Sequence, residues 1–233
     1  MYYYGLYMDP TYILVVIGLI ITMIASANVN STFKKYDKVR SRQGFTGAET
    51  ARRILDANGL YDVRVERVSG KLTDYYSPKE HVIRLSDATY NSTSIAALGV
   101  AAHECGHAVQ HQTGYAPIKV RNKIVPVVNI CSNLAIPIIL IGMLFALSNL
   151  AMLGVVLYCA VLAFQIVTLP TETNASSRAV STLRSMAILD EDELSGTKKV
   201  LSAAAMTYFA STAATALQVL RLFLLVSGRR RDD

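Results

Sequence analysis

Apolar residues along this chain fall into two kinds of run. Two runs are long and carry no acidic or basic residue, spanning residues 10–33 and 124–171. A helix needs about 20 apolar residues to cross a hydrocarbon core about 30 Å thick. The first run therefore predicts one crossing, a helix over 11–27. The second predicts two, outward over 124–144 and back over 153–169, reversing near Ser148 and Asn149. Pro137 lies inside the outward arm and predicts a kink.

The other runs are short and periodic. An amphipathic, basic piece covers 31–42. Thr46 and Glu49 then have capping-box spacing, predicting a helix through Ala57 that Asn58-Gly59 ends. Alternation over 63–68 and again over 81–85 predicts two short strands joined by a polar loop near 74–79. A further helix starts near Ser92 or Ser94 and runs to about Gln112, where Thr113-Gly114 stops it. Its apolar part, 95–102, is too short to cross a membrane. After Pro170 a helical pattern resumes with Glu172 at its start and breaks at Asp190-Glu191-Asp192-Glu193. Those four acids suit the solvated first turn of another helix, facing its positive dipole end. Beyond Lys199 an apolar helix containing Arg221 reaches Val226. The pattern leaves open whether it spans, lies at the interface or packs on the rest.

Composition supports a membrane setting: 52% of the 233 residues are hydrophobic and 17% charged. The net charge of +6 raises the question of nucleic acid, but the basic residues flank apolar runs: Lys34, Lys35, Lys38, Arg40 and Arg42; Lys119, Arg121 and Lys123; Arg229, Arg230 and Arg231. Such clusters anchor spans against anionic headgroups, and they lack the aromatic interleaving of single-strand binders, so no nucleic-acid partner is expected. Ala25-Ser26-Ala27 resembles a signal-peptidase site. However, positive charge follows the first span rather than preceding it, which favours an uncleaved anchor with its C-terminal side in the cytoplasm. Three unpaired cysteines, Cys105, Cys131 and Cys159, make no disulfide framework.

The chemistry lies in His103-Glu104-Cys105-Gly106-His107. On a helix, residues four apart share a face, so both imidazoles can reach one Zn²⁺, while Glu104 faces the open position and can take a proton from bound water. The alternative is a structural helix whose histidines only hydrogen-bond. Gln110 and Thr113 stand where a metzincin has Gly and His. Among downstream carboxylates, Glu172 alone stands outside a charge cluster. It would complete a His, His, Glu set, or else merely satisfy a helix dipole. His111 lies about 12 Å along the helix from His103, too far to share the ion, and reads as an outer-sphere or surface residue. Arg178, Tyr75 and Tyr76 are candidates for polarising a scissile carbonyl, with an ion pair or solvated loop as the plainer reading. His81 is a strand-face residue able to contact substrate, and Cys105 belongs to the core. The strand just upstream of the motif is expected to be a sheet edge on which a peptide can add a strand.

The strings TGAETARRILDANGL, DVRVERVSGKLTDYYSP, SIAALGVAAHECGHAVQH, GYAPIKVRN, LPTETNASSRA and AILDEDELSGTKKVLSAAAMTY resemble the YugP-type putative neutral zinc metallopeptidases of bacterial membranes, across nearly everything after Ser31. The resemblance implies a gluzincin-like enzyme with His103, His107 and Glu172 as metal ligands and Glu104 as catalytic acid. Asn174 departs from the Asp expected in relatives. If that Asp orients a ligand histidine, the support is weaker here.

The expected fold is a mainly helical α+β membrane protein, with a small sheet preceding a zincin-like HExxH helix and about three or four transmembrane helices. The expected organisation is an anchor (1–30), a catalytic part (31–122), a transmembrane hairpin (123–170), a third-ligand helix with its acidic turn (171–197) and an apolar C-terminal helix with a basic tail (198–233). The expected function is a multi-pass, zinc-dependent endopeptidase acting on peptides or membrane proteins at the cytoplasmic membrane surface. A non-proteolytic zinc-binding scaffold or assembly factor is the alternative. A site-two-type intramembrane protease ranks lower because the chain has no Asp-Gly. Ligand chemistry also suits other divalent ions, and the sequence does not give the oligomeric state.

Overall fold

The computed structural model describes residues 9–229; the leading segment through Met8, the side chain of Arg229, and Arg230 and Arg231 of the basic tail lie outside the described residues. The elements are α1 (Tyr12–Tyr36), α2 (Gly47–Ala57), β1 (Arg64–Val68), β2 (Tyr75–Ser77), β3 (Val82–Ser86), α3 (Ile95–Gln112), α4 (Ala116–Leu144), α5 (Ser148–Ser185) and α6 (Glu191–Arg229). They form two compact units. One gathers the chain up to Ile24, Lys123–Ile166 and the chain from Tyr208 onward; the other comprises Ala25–Asn122 and Val167–Thr207.

The second unit holds the sheet and α3. Thr46 caps α2 as expected: its hydroxyl accepts from the Glu49 amide at 3.2 Å, and the Glu49 carboxylate accepts from the Thr46 amide at 2.8 Å. The sheet order is β1-β3-β2, with β1 parallel and β2 antiparallel to β3. This corrects two expectations. The loop between the anticipated strands contains a third strand, and the strand just upstream of the motif helix is central, leaving β1 and β2 as the edges. Flanked on both sides, β3 buries Val82, Ile83, Leu85 and Ser86. His81, expected on a strand face, precedes β3 at φ 50°. The core joins Ala51, Ile54 and Leu55 of α2, Ile83 and Leu85 of β3, Leu98, Ala102 and Cys105 of α3, and Leu183 and Leu194.

The other unit is helical and close-packed through small residues: Gly18 meets Ala214, Gly142 meets Ala151, and Gly154 meets the Ala135 carbonyl and Ile139. Ile139, Val155, Leu222 and Val226 fill its interior. The guanidinium of Arg221 lies over the Tyr12 ring, 4.2 Å from its centre, which gives a charge in an apolar helix an aromatic face to rest on. Among the described residues four helices, α1, α4, α5 and α6, are long and apolar enough to cross a membrane, and no more than 17% of each apolar window is buried by protein. Apolar surface left open on that scale belongs against lipid, so the chain is a multi-pass membrane protein.

The four long helices all extend beyond the apolar runs that predicted them. Pro170 does not start a new helix; α5 runs through it to Ser185. A proline removes one helical hydrogen bond, and just beyond it Thr173 Oγ1 donates to the Leu169 carbonyl at 2.9 Å. The acidic run opens α6 without being wholly solvated. Arg42 pairs with Asp190 and Asp192, both at 2.6 Å. Glu193 is buried and accepts from the Arg42 and Asp190 amides at 2.8 and 2.9 Å.

Candidate metal centre

Helix α3 is held in place at its N-terminus. Its N-cap Ser94 accepts from the Ala97 amide at 3.1 Å and donates to Asp37 at 3.0 Å. Along its length it presents glycine and alanine to its neighbours, so backbones approach closely. A Cβ at Gly99 would stand 2.6 Å from Thr197 Cγ2 on α6, and one at Gly106 would stand 2.7 Å from the Ala175 carbonyl oxygen on α5. Gly106 lies between Glu104 and His107, and Ala175 lies three residues beyond Glu172. The absence of a side chain at Gly106 therefore sets how closely the Glu172 turn approaches the two histidines.

Three ligand-type side chains meet at this crossing. The Nε2 atoms of His103 and His107 lie 3.4 and 3.6 Å from Glu172 Oε2, and the donor atoms of all three residues fall within 4.8 Å of one another. Glu172 Oε2 is buried and makes no hydrogen bond. Such an orphaned acceptor costs about 1–3 kcal/mol, more if charged, unless something cationic satisfies it. Two ligands each about 2.0–2.1 Å from a tetrahedral ion sit about 3.3–3.4 Å apart. Both the separations and the orphaned oxygen therefore fit one shared cation. Oxygen and imidazole donors with no thiolate suit zinc and several other divalent metals.

Outer partners fix which ring nitrogens face the cluster. Gln110, fully buried, donates through Nε2 to the Thr171 carbonyl at 2.8 Å and to Asn174 Oδ1 at 3.0 Å. Its Oε1 is thus the atom 3.0 Å from His107 Nδ1, and a carbonyl oxygen there requires that Nδ1 carry the proton. In a neutral ring, Nε2 is then left with its lone pair toward Glu172. His103 Nδ1 lies 3.1 Å from the Ser176 hydroxyl, which can donate or accept and so holds the ring without selecting its tautomer. Gln110 and Ser176 were missed by the sequence reading. The available signal was helical spacing, since Gln110 is three residues after His107 and Ser176 four after Glu172.

Burial raises the pKa of the Glu104 carboxyl, His103 and His107 draw it down, Glu172 and Asp74 push it up again, and the net direction is up. Burial also raises Glu172, but the two imidazoles at 3.4 and 3.6 Å outweigh it and hold this carboxyl well below the usual range. For His107, burial opposes protonation, yet the neighbouring carboxylates of Glu172 and Glu104 win, and its pKa rises. Burial pushes the Cys105 thiol up, and its Sγ faces the Ala51 carbonyl at 3.5 Å, in the core.

The remaining candidates lie outside the cluster. His111 contacts Asn122 at 3.4 Å and packs edge-on against Tyr76. Arg178 Nε donates to Asn174 Oδ1 at 2.8 Å, so Asn174 bridges Arg178 and Gln110, and its bonds run to Gln110 rather than to a histidine. Tyr75 receives a bond from Arg84 at 2.6 Å, and His81 pairs with Asp62 at 2.5 Å.

A family model described as "Putative neutral zinc metallopeptidase" matches residues 11–227. The chain is 48% identical over 220 residues to the "Putative membrane protease YugP" of Bacillus subtilis (strain 168), covering 94% of this chain and 97% of that protein. No solved structure matches the chain.

Proposed function

From the premise that the chain belongs to the putative neutral zinc metallopeptidase family, we propose that it is a zinc-dependent endopeptidase with its catalytic part on the cytoplasmic side, cleaving peptides or membrane proteins near the bilayer. Membership and the buried His, His, Glu cluster make it a membrane hydrolase of the zinc-peptidase type. The identity of the metal, the residue roles, the substrate position and the sidedness are our reading. The observation that carries it is the buried, unbonded Glu172 Oε2 at 3.4 and 3.6 Å from two imidazole nitrogens.

In this reading His103, His107 and Glu172 hold Zn²⁺. The ion, when bound, supplies Lewis acidity and a water whose pKa falls toward about 7. Glu104 accepts a proton on its carboxylate and returns it to the leaving amine. Burial pushes the pKa of this carboxyl up, the direction that suits a group serving first as base and then as acid. Gln110 and Ser176 hold the rings by their Nδ1 atoms so that Nε2 faces inward. The adjacent edge strand for a substrate backbone is β2, which packs on α3.

Sidedness follows from charge. Where α1 and α5 end and α4 and α6 begin, the chain carries Lys34, Lys35, Lys38, Lys119, Arg121, Lys123, Arg184, Lys198 and Lys199, whereas the turn joining α4 to α5 carries none. Three arginines follow the span of α6, fewer than these nine, and by the positive-inside rule this asymmetry supports a cytoplasmic side for the nine. A cysteine at Ala146 should react with an impermeant maleimide in intact cells; reaction only after lysis contradicts the orientation. Metal analysis of Glu172→Ala tests the ligand set: the folded variant should lose stoichiometric zinc, and undiminished zinc would remove Glu172 from it.

A further inference from the structure

A second site lies away from the metal cluster, in the same unit. Asn28, Thr32, Lys35 and Tyr36 of α1 and Lys198, Lys199, Ser202, Ala203 and Met206 of α6 line a cavity of about 500 Å³. That volume falls within the range of about 300–1,000 Å³ typical of small-molecule sites. Three lysines and several hydroxyl or amide groups converge there, and no carboxylate lines it. The nearby acids of α6 lie outside the cavity: Asp190 and Asp192 pair with Arg42, Glu193 accepts from two backbone amides, and Glu191 pairs with Arg184 while also feeling the Lys198 charge. The lysines therefore lack a counter-charge within the cavity, and an anion is the ligand chemistry they call for.

The cavity is also graded in polarity. On α1 the uncharged run ends at Phe33, immediately before Lys34 and Lys35; on α6 a run without charge begins at Val200, immediately after Lys198 and Lys199, and extends to Leu220. The lysines thus stand at the charged limit of both apolar runs, while Ala203 and Met206 stand one to two turns into the uncharged part of α6. A free phosphate would use the cationic end and leave the apolar end bare. An anionic phospholipid would use both, its phosphate at Lys35, Lys198 and Lys199 and its glycerol and upper acyl chain along Ala203 and Met206.

We propose that this cavity is a binding site for an anionic phospholipid headgroup, clasped between α1 and α6. The proposal does not depend on the proteolytic reading, because none of its residues belongs to the metal cluster.

The test uses the full chain in neutral detergent, titrated with dioleoylphosphatidylglycerol, dioleoylphosphatidylcholine or inorganic phosphate, with retained lipid counted by native mass spectrometry. The parent should retain one phosphatidylglycerol per chain in preference to phosphatidylcholine, and inorganic phosphate should not displace it. Replacing Lys35, Lys198 and Lys199 together by Gln should weaken retention about a hundredfold, at roughly fivefold per lysine near an anionic surface. Lys34→Gln with Lys38→Gln, which removes charge outside the cavity, should leave it within about twofold. Single variants Lys35→Gln and Lys198→Gln, each expected to weaken retention about fivefold, decide the matter if the triple variant does not fold. Equal retention by the cavity variants, equal loss in the Lys34/Lys38 pair, equal retention of phosphatidylcholine, or displacement by phosphate would each overturn the proposal.

Discussion

Replacing Gly106 by Ala tests whether the crossing of α3 and α5 sets the metal site. The added Cβ would stand 2.7 Å from the Ala175 carbonyl oxygen, 0.7 Å short of the 3.4 Å at which ordinary contact begins, and 3.2 Å from the Ala175 Cα. The obstacle is backbone, so no side chain can rotate away; α5 must retreat by several tenths of an ångström. Metal–ligand bonds hold to about ±0.2 Å, and Glu172 lies less than one turn from Ala175. The predicted consequence is a 10- to 100-fold loss of zinc affinity, with overpacking costing about 1–3 kcal/mol of stability. Competition against a chromophoric chelator measures the first, and the thermal midpoint of the metal-free protein the second. Gly99→Ala is the control: its Cβ would meet Thr197 Cγ2 on α6 at 2.6 Å, so it should lower the midpoint but leave zinc affinity within about threefold. If Gly106→Ala binds zinc as tightly as the parent, the claim that this contact sets the Glu172 position is wrong.

Gln110→Ala should weaken zinc binding about 10- to 100-fold by freeing the His107 ring, and should lower stability by removing the buried bonds of Gln110 to the Thr171 carbonyl and Asn174; unchanged affinity in the chelator assay would refute the positioning role. Zinc affinity should also depend on pH. In the metal-free site the His107 pKa lies above its ordinary value, and zinc needs the neutral ring. Affinity is therefore full above that raised pKa and falls, by up to about tenfold per pH unit per proton displaced, as pH drops through it. Because the Glu104 charge contributes to the rise, Glu104→Gln should move the fall to lower pH; a shift to higher pH would contradict the assignment.

Local signals were legible where local chemistry decides the structure. The capping box fixes the start of α2, and the Ser94 cap and Gly114 bound α3 within a residue or two of expectation. His103, Glu104 and His107 stood out because helical spacing alone puts the two rings together. What the sequence hid depends on tertiary contacts. With three residues, β2 is too short for a period of two to register, so β3 read as an edge when it is central. Pro170 suggested a break, yet α5 continues through it. Gln110 is an ordinary glutamine until α5 brings Thr171 and Asn174 alongside it, and only then does it fix the His107 tautomer. Asn174, where an Asp was expected in relatives, bonds to Gln110 and Arg178 and makes no bond to a ligand histidine among the described residues.

The most direct measurement is bound zinc and peptide cleavage, taken side by side on purified Glu104→Gln and the parent. The side chain of Glu104 holds no ligand position in this account, so the variant should keep one zinc per chain while cleavage of a fluorogenic peptide falls by about 10²- to 10⁴-fold. Parental cleavage by a zinc-replete Glu104→Gln protein would mean that another group moves the proton, and the proposed mechanism would not stand.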